Sequence, residues 1–337
     1  MTPNILIKTA AKPVFSLAGC LILLLICLVF NITLGAAEIP IAQILTSFVS
    51  FDGSYQHLVI QTVRLPRSLI AILVGAALAV SGALMQGLTR NPLADPGILG
   101  IESGAALSVV IVIFVFGTSS IGILTVAAFL GAGITAILVY FLGSLGKGGA
   151  TPLNITVAGA AITALISSLT TAILIISQRT LEEIRFWLAG SLAGRDASIL
   201  FSALPFVTIG LVIALALGRQ ITTMSLGDDI AKGLGQKTAW IKILTAISVV
   251  LLAGSSVALV GPIGFIGLVV PHIVRFFIKT DYRWILPYSA VVGATLLLVA
   301  DISARVLLKP QELPVGVMTA LVGAPFFIYL AKSKVKK

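Results

Sequence analysis

The sequence predicts an all-α, polytopic membrane protein with about ten transmembrane helices and both termini in the cytoplasm. Three observations carry this expectation. Hydrophobic residues make up 58% and charged residues 10% of the 337 positions, and mean hydropathy is +1.14. Soluble domains are about 45–50% apolar, so a soluble enzyme, a disordered chain and a fibre are all excluded. Apolar runs long enough to cross about 30 Å of hydrocarbon recur along the whole chain. Lys and Arg fall mainly in alternate connections, as the positive-inside rule requires.

Ten spans are expected, at about 14–34, 67–88, 98–117, 121–143, 152–176, 199–217, 239–259, 262–278, 285–308 and 314–331. Each must be helical, because lipid offers no partner to an open backbone. The first follows Lys8 and Lys12 and ends near Leu34-Gly35-Ala36-Ala37, which resembles a signal-peptide cleavage site. At roughly 20 residues the run is long for a signal sequence, so it reads as an uncleaved helix. Within it, Cys20 and Cys27 lie on one helix face, about 10 Å apart along the axis and too far to bridge. The eighth and tenth spans are the shortest.

With ten spans and the N-terminus inside, the inner connections hold fifteen Lys and Arg residues and the outer ones seven. The outer set also holds seven acids, Glu38, Asp52, Glu182, Glu183, Asp196, Asp301 and Glu312, and nets to zero. The inner set holds five, Asp95, Glu102, Asp228, Asp229 and Asp281, and carries the entire excess of +10. The basic balance is therefore a topology signal, not a nucleic-acid footprint. Trp187, Trp240 and Trp284 fall at span ends or in a connection, where interfacial aromatics belong. The chain reads as a single membrane domain over 1–337, its largest inner connection lying at about 219–238.

Chemistry-bearing residues are few. His57 and His272 are the only histidines, so no metal-ligand spacing exists. The phosphate-cradling pattern G-x-x-x-x-G-K-[ST] is absent around Gly146-Lys147, and no ATPase domain fits in the connections. Nor is there a convergent His, acid and nucleophile set for catalysis.

Before the second span, Pro66 suits the first turn of a helix. Arg64 and Arg67, three residues apart, share a face, either as headgroup anchors or as a docking point for carboxylates of an external partner. After it, Asn91-Pro92-Leu93-Ala94-Asp95-Pro96-Gly97 reads as a tight inner turn. In the largest inner connection, Ser225 with Asp228 fits a capping box. Asp228 and Asp229 suit the positive end of a short helix through Ala231, and Gly235 suits its stop. Leu226, Ile230 and Leu234 make an apolar stripe that nothing in the connection covers, which favours a partner protein.

Gly261, Gly264 and Gly267 recur every third residue and suggest a smooth strip for helix contact, with a kink at Pro271 and a structural hydrogen bond for the adjacent His272. Asp301 and Arg305 are placed for an i,i+4 ion pair, with Glu312 and Pro314 following on the outer side.

Taken together, these segments resemble the iron–siderophore, haem and cobalamin permeases of binding-protein-dependent ABC importers, the FecCD-type family. The matching stretches are Arg64-Leu65-Pro66-Arg67, Gly82-Ala83-Leu84-Met85-Gln86-Gly87, Asn91 to Gly97, Leu226-Gly227 with Leu234-Gly235, Gly264 to His272, Asp301 to Arg305 and Glu312 to Gly316. They occur in family order over about residues 60–330.

The resemblance implies two permease subunits, identical or homologous, enclosing one pathway in a bacterial inner membrane. It implies two ATP-binding subunits below and a periplasmic or lipid-anchored substrate-binding protein above. Arg64, Arg67 and Arg305 would receive that protein's carboxylates. Leu226, Gly227, Asp228, Asp229, Ala231, Leu234 and Gly235 would form the coupling segment on the ATPase. Asn91, Leu93, Thr151 and Pro152 would close the inner end of the pathway. This chain would bind no cofactor, ATP and Mg being used by the partner. Glu102 departs from the family pattern, which has a small polar residue there. An ion-gradient-driven transporter is the alternative; it usually holds paired ionisable groups at mid-membrane, where no acid is expected here.

Overall fold

Why α4 sits at the centre is written in its side chains. The helix α1 covers Pro3–Thr33, and short helices α2 (Ile41–Val49) and α3 (Tyr55–Val59) follow. One π-helical turn, Ile60–Arg64, leads without a break into α4 (Leu65–Thr89). That helix is rich in Ala and Gly and apolar all round, the mark of a buried helix. It packs against α9 (Ala197–Met224), α11 (Thr238–Val260), α12 (Ile266–Ile278) and α13 (Tyr282–Val306). Around this hub stand α5 (Ile101–Phe116), α6 (Ile121–Ser144), α7 (Pro152–Ile176) and α8 (Gln178–Leu188). The six-residue α10 (Asp228–Gly233) and the last helix, α14 (Val315–Val335), complete the set. The computed structural model describes residues 3–35, 39–117, 120–146, 151–309 and 311–335. No strand occurs among them. Glu38, Lys147, Lys336, Lys337 and the Ala36-Ala37 step lie outside the described residues.

Seven helices are long and apolar enough to cross a membrane, and α5, α12 and Val315–Tyr329 of α14 are shorter. Two of the short ones have one cause: irregular backbone takes part of their depth. Before α5 the chain does not make the simple turn expected. It leaves α4 at Thr89, and Asp95, Pro96 and Glu102 come to line a small cavity with Leu78, midway along α4. The loop is held by an Asp95 Oδ1 bond from the Gly97 N–H at 2.8 Å and a 3-10 turn at Pro96–Leu99. The expected eighth span fails over 262–265 for a similar reason. Gly261 ends α11 at φ +79°, and Phe265, left-handed at φ +71°, starts α12. Only 13 residues of helix remain, rising about 20 Å. The two irregular segments meet: a Cβ on Gly267 would lie 3.2 Å from both Asp95 Oδ2 and Pro96 Cδ. Non-helical backbone at this depth is tolerated because protein encloses it. Asp95 and Glu102, expected among inner connections, are therefore drawn inside the bundle.

Close helix contact runs mostly through glycines outside the expected strip. A Cβ on Gly75 would sit 2.4 Å from the Gly293 carbonyl oxygen, and one on Gly293 2.3 Å from that of Gly75. Gly82 meets Gly267 closer still, at 1.9 Å. Helices α5 and α6 interlock likewise at Gly104 and Gly131. Of the expected strip, Gly261 abuts the Trp187 carbonyl and Gly267 meets α4, but Gly264 has nothing within 4 Å. The three glycines cannot share a helix face, because 261–265 is not helical. Trp187, expected at the interface, is buried.

Candidate functional site

At the end of the bundle expected to face outward, two arginines converge on one carboxylate and a third stands beside them. Asp301 is fully enclosed. Its Oδ1 accepts from Arg67 Nε at 3.0 Å and Nη2 at 2.8 Å. Its Oδ2 faces Arg305 Nη2 at 3.0 Å and accepts from Asn31 Nδ2 at 3.0 Å. The i,i+4 pair is thus present, and Arg67 joins it from 234 residues away. A buried carboxylate survives only with such pairing. Arg67 also reaches Glu312 at 2.7 Å.

The other two arginines close the end of α1. Arg64 donates to the Ile32 and Thr33 carbonyls at 2.6 and 2.7 Å. Arg305 donates to those of Asn31 and Leu34 at 2.8 and 2.9 Å. The last carbonyls of a helix have no partner within it, and the dipole there favours cations. All three arginines are largely buried, yet they also line a cleft of about 250 Å³ with Gly35, Tyr55 and Glu312. Three guanidiniums face two carboxylates there, so the cleft carries one net positive charge. Beside it His57 is buried between Asp52, at 2.7 Å, and the Thr46 hydroxyl.

The opposite end holds α10. Ser225 does not cap it. Its hydroxyl donates to the Thr222 carbonyl at 2.7 Å and finishes α9, and the N-cap is Gly227, at φ +130°. The stop is as expected: Gly235 is left-handed at φ +81°, and the Gln236 N–H bonds the Ala231 carbonyl at 2.9 Å, a Schellman arrangement. Asp228 pairs with Lys242 at 2.6 Å, tying α10 to α11. Ala231 is fully buried beneath, while Leu226, Ile230 and Leu234 are 63%, 51% and 67% exposed. Asn91 closes an Asx turn on the Leu93 N–H at 3.0 Å, and Thr151 caps α7 on the Asn154 N–H at 3.2 Å.

Pro271 has a specific consequence here. Lacking an N–H, it leaves the Gly267 carbonyl without its helical partner. Gln86 Nε2 of α4 donates to that oxygen at 3.1 Å and to Leu268 O at 3.3 Å. The Gln86 carbonyl in turn accepts from Arg275, which also donates to Tyr282 Oη at 3.0 Å. The His272 ring packs edge-on against Phe276 and Phe326. Asp281 caps α13 and binds Arg283 at 2.8 Å, and this contact holds its carboxyl below the usual carboxylate range.

One face was missed by the sequence reading. Helix α7 is largely uncovered, and Thr156, Ala160, Ser167 and Thr171 are exposed along one side of it, with Thr163 half-buried among them. Their spacing of three to four residues was the available signal. Among the described residues no three His, Cys, Asp or Glu come together to hold a metal.

A polytopic bundle with a cationic cleft at one end and a short helix bearing exposed apolar side chains at the other fits the membrane subunit of a transporter. The model of the FecCD transport family matches residues 23–333, and the chain belongs to that family. It is 47% identical over 322 residues to the "Probable siderophore transport system permease protein YfiZ" of Bacillus subtilis (strain 168), covering 93% of this chain and 97% of that one. It is 39% identical to the ferric enterobactin transport system permease protein FepD of Escherichia coli (strain K12), covering 98% of each. Among solved structures, a transporter described as of the metal-chelate ABC type, inward-facing, superposes with a TM-score of 0.84 at 34% identity, covering 94% of this chain and 98% of that one. The protein is therefore a multi-pass inner-membrane permease of a metal-chelate ABC importer and not an enzyme.

Proposed function

We propose that this chain imports an iron–siderophore by alternating access at the interface of two permease subunits, with ten membrane crossings and both termini cytoplasmic. The observation that carries the reading is the contrast between the two ends. At the outer end a carboxylate of a substrate-binding protein would neutralise the one excess positive charge beside Arg64, Arg67 and Arg305. At the inner end Leu226, Ile230 and Leu234 offer an apolar seat to an ATP-binding subunit, so that ATP and Mg are used on that partner and no cofactor on this chain. The turn at Asn91 and Leu93 and the α7 entry at Thr151 and Pro152 close the inner end. The small hydroxylic face of α7 suits a wet pathway, being more polar than the long aliphatic faces that lipid favours. The names of the relatives favour siderophores, with haem or cobalamin as the alternatives.

Uptake of radiolabelled iron–siderophores, haem and cobalamin by a strain deleted for this chain tests the substrate. Loss confined to siderophores supports the reading; loss confined to haem or cobalamin overturns it. In the same strain, Arg64→Glu with Arg67→Glu is expected to cut uptake at least tenfold by repelling the binding protein and by breaking the buried pair with Asp301, and capture of the binding protein by the folded, purified variant isolates the first effect. Wild-type capture and uptake by that double variant removes the docking role.

A further inference from the structure

A second polar cleft, of about 350 Å³, lies at the inner end between α4, α9 and α12, lined by Gln86, Arg90, Ser225, His272, Arg275 and Tyr282 among others. No acid lines it. Arg275 is held by neutral groups only, the Gln86 carbonyl and the Tyr282 hydroxyl, with its guanidinium 5.8 Å above the Tyr282 ring. Arg90, exposed at the left-handed end of α4, reaches to 3.5 Å from where a Gly227 Cβ would sit. Among the described residues neither arginine pairs with a carboxylate. Asp281 is engaged by Arg283, Asp228 by Lys242 and Asp95 by the Gly97 N–H, and neither they nor Asp229 line the cleft. Two guanidiniums, one of them fixed in orientation, thus face a cavity with no counter-charge, a geometry suited to a carboxylate. Ser225, on its wall, immediately precedes Leu226 of the exposed stripe. A protein seated on that stripe therefore comes alongside the cleft.

We propose that this cleft receives an acidic side chain of the cytoplasmic ATP-binding subunit, as an electrostatic contact beside the apolar seat on α10. The proposal rests on the reading that α10 seats that subunit.

The test uses the full permease in phosphatidylcholine vesicles and the ATP-binding subunit that co-purifies with it, with their dissociation constant as readout. Arg90 is exposed and already left-handed, so its replacement adds no backbone strain. Arg90→Glu is expected to weaken association at least tenfold, and Arg90→Lys by less than about threefold. An Asp or Glu of the ATP-binding subunit changed to Arg should restore binding to Arg90→Glu. Leu234→Glu separates the two readings. If it abolishes binding while Arg90→Glu binds like wild type, the cleft proposal falls and the α10 seat stands. If Leu234→Glu also binds like wild type, the seat itself is wrong. A deficit of Arg90→Glu that arises only in vesicles with anionic lipid, or that inorganic phosphate reproduces in the wild type, assigns the cleft to phosphate and overturns the proposal.

Discussion

Asp301 holds together residues from four parts of the chain: Asn31 of α1, Arg67 of α4, Arg305 on its own helix and, through Arg67, Glu312. Removing one partner from a buried ionic cluster leaves uncompensated charge and costs about 3–5 kcal/mol. Asp301→Ala is therefore expected to lower stability by that amount, read as the denaturant midpoint of the purified protein in detergent. A midpoint within error of wild type would mean the arginines find other counter-charge. The pair with Arg305 was legible, because four residues on a helix make neighbours. Arg67 was not: spacing placed it on one face with Arg64, and nothing in the sequence says which distant carboxylate it meets. The two arginines part company, one to the end of α1 and the other to Asp301.

Among elements, the pattern of three evenly spaced glycines invited a helix face, and only the backbone could refuse it. Gly261 and Phe265 both take positive φ, which breaks the helix between them, and no spacing rule registers that. The glycines that do let backbones touch, Gly75, Gly82 and Gly293, lie inside long apolar runs where Gly is common and carries little signal. The two classes separate by substitution. Gly82→Ala drives a methyl into the Gly267 carbonyl, a backbone atom that cannot rotate away, and is expected to cost about 3 kcal/mol. Gly264→Ala meets open space at an ordinary φ and should stay within about 0.5 kcal/mol. Equal thermal shifts for the two variants in detergent would contradict the packing described. The start of α10 failed to read for a related reason: Ser225 fits a capping pattern, but its hydroxyl is drawn to the end of α9, and Gly227 takes the cap.

At the level of the whole molecule, the seven long apolar helices were legible from hydropathy, and so was the family, from motifs in order. Helices α5 and α12 were legible as well, but the irregular segments that lead into them were not, because an irregular segment buried among helices is as apolar as a helix. The charge asymmetry makes its own prediction. A fluorescent protein fused after Lys337 should fold and fluoresce inside the cell, and an alkaline phosphatase inserted at α8 should be active outside. The reverse pattern would invert the orientation that fifteen against seven basic residues imply.

The re-entrant stretch from Asn91 to Gly100 also bears on how the protein is made. Its Ile98 carbonyl is covered by Gly159 of α7, against which a Cβ would come within 1.8 Å. That glycine leaves the ribosome some sixty residues after the stretch it shields, seconds later at ribosomal speed. The segment before α5 therefore lacks one of its packing partners until α7 has been made.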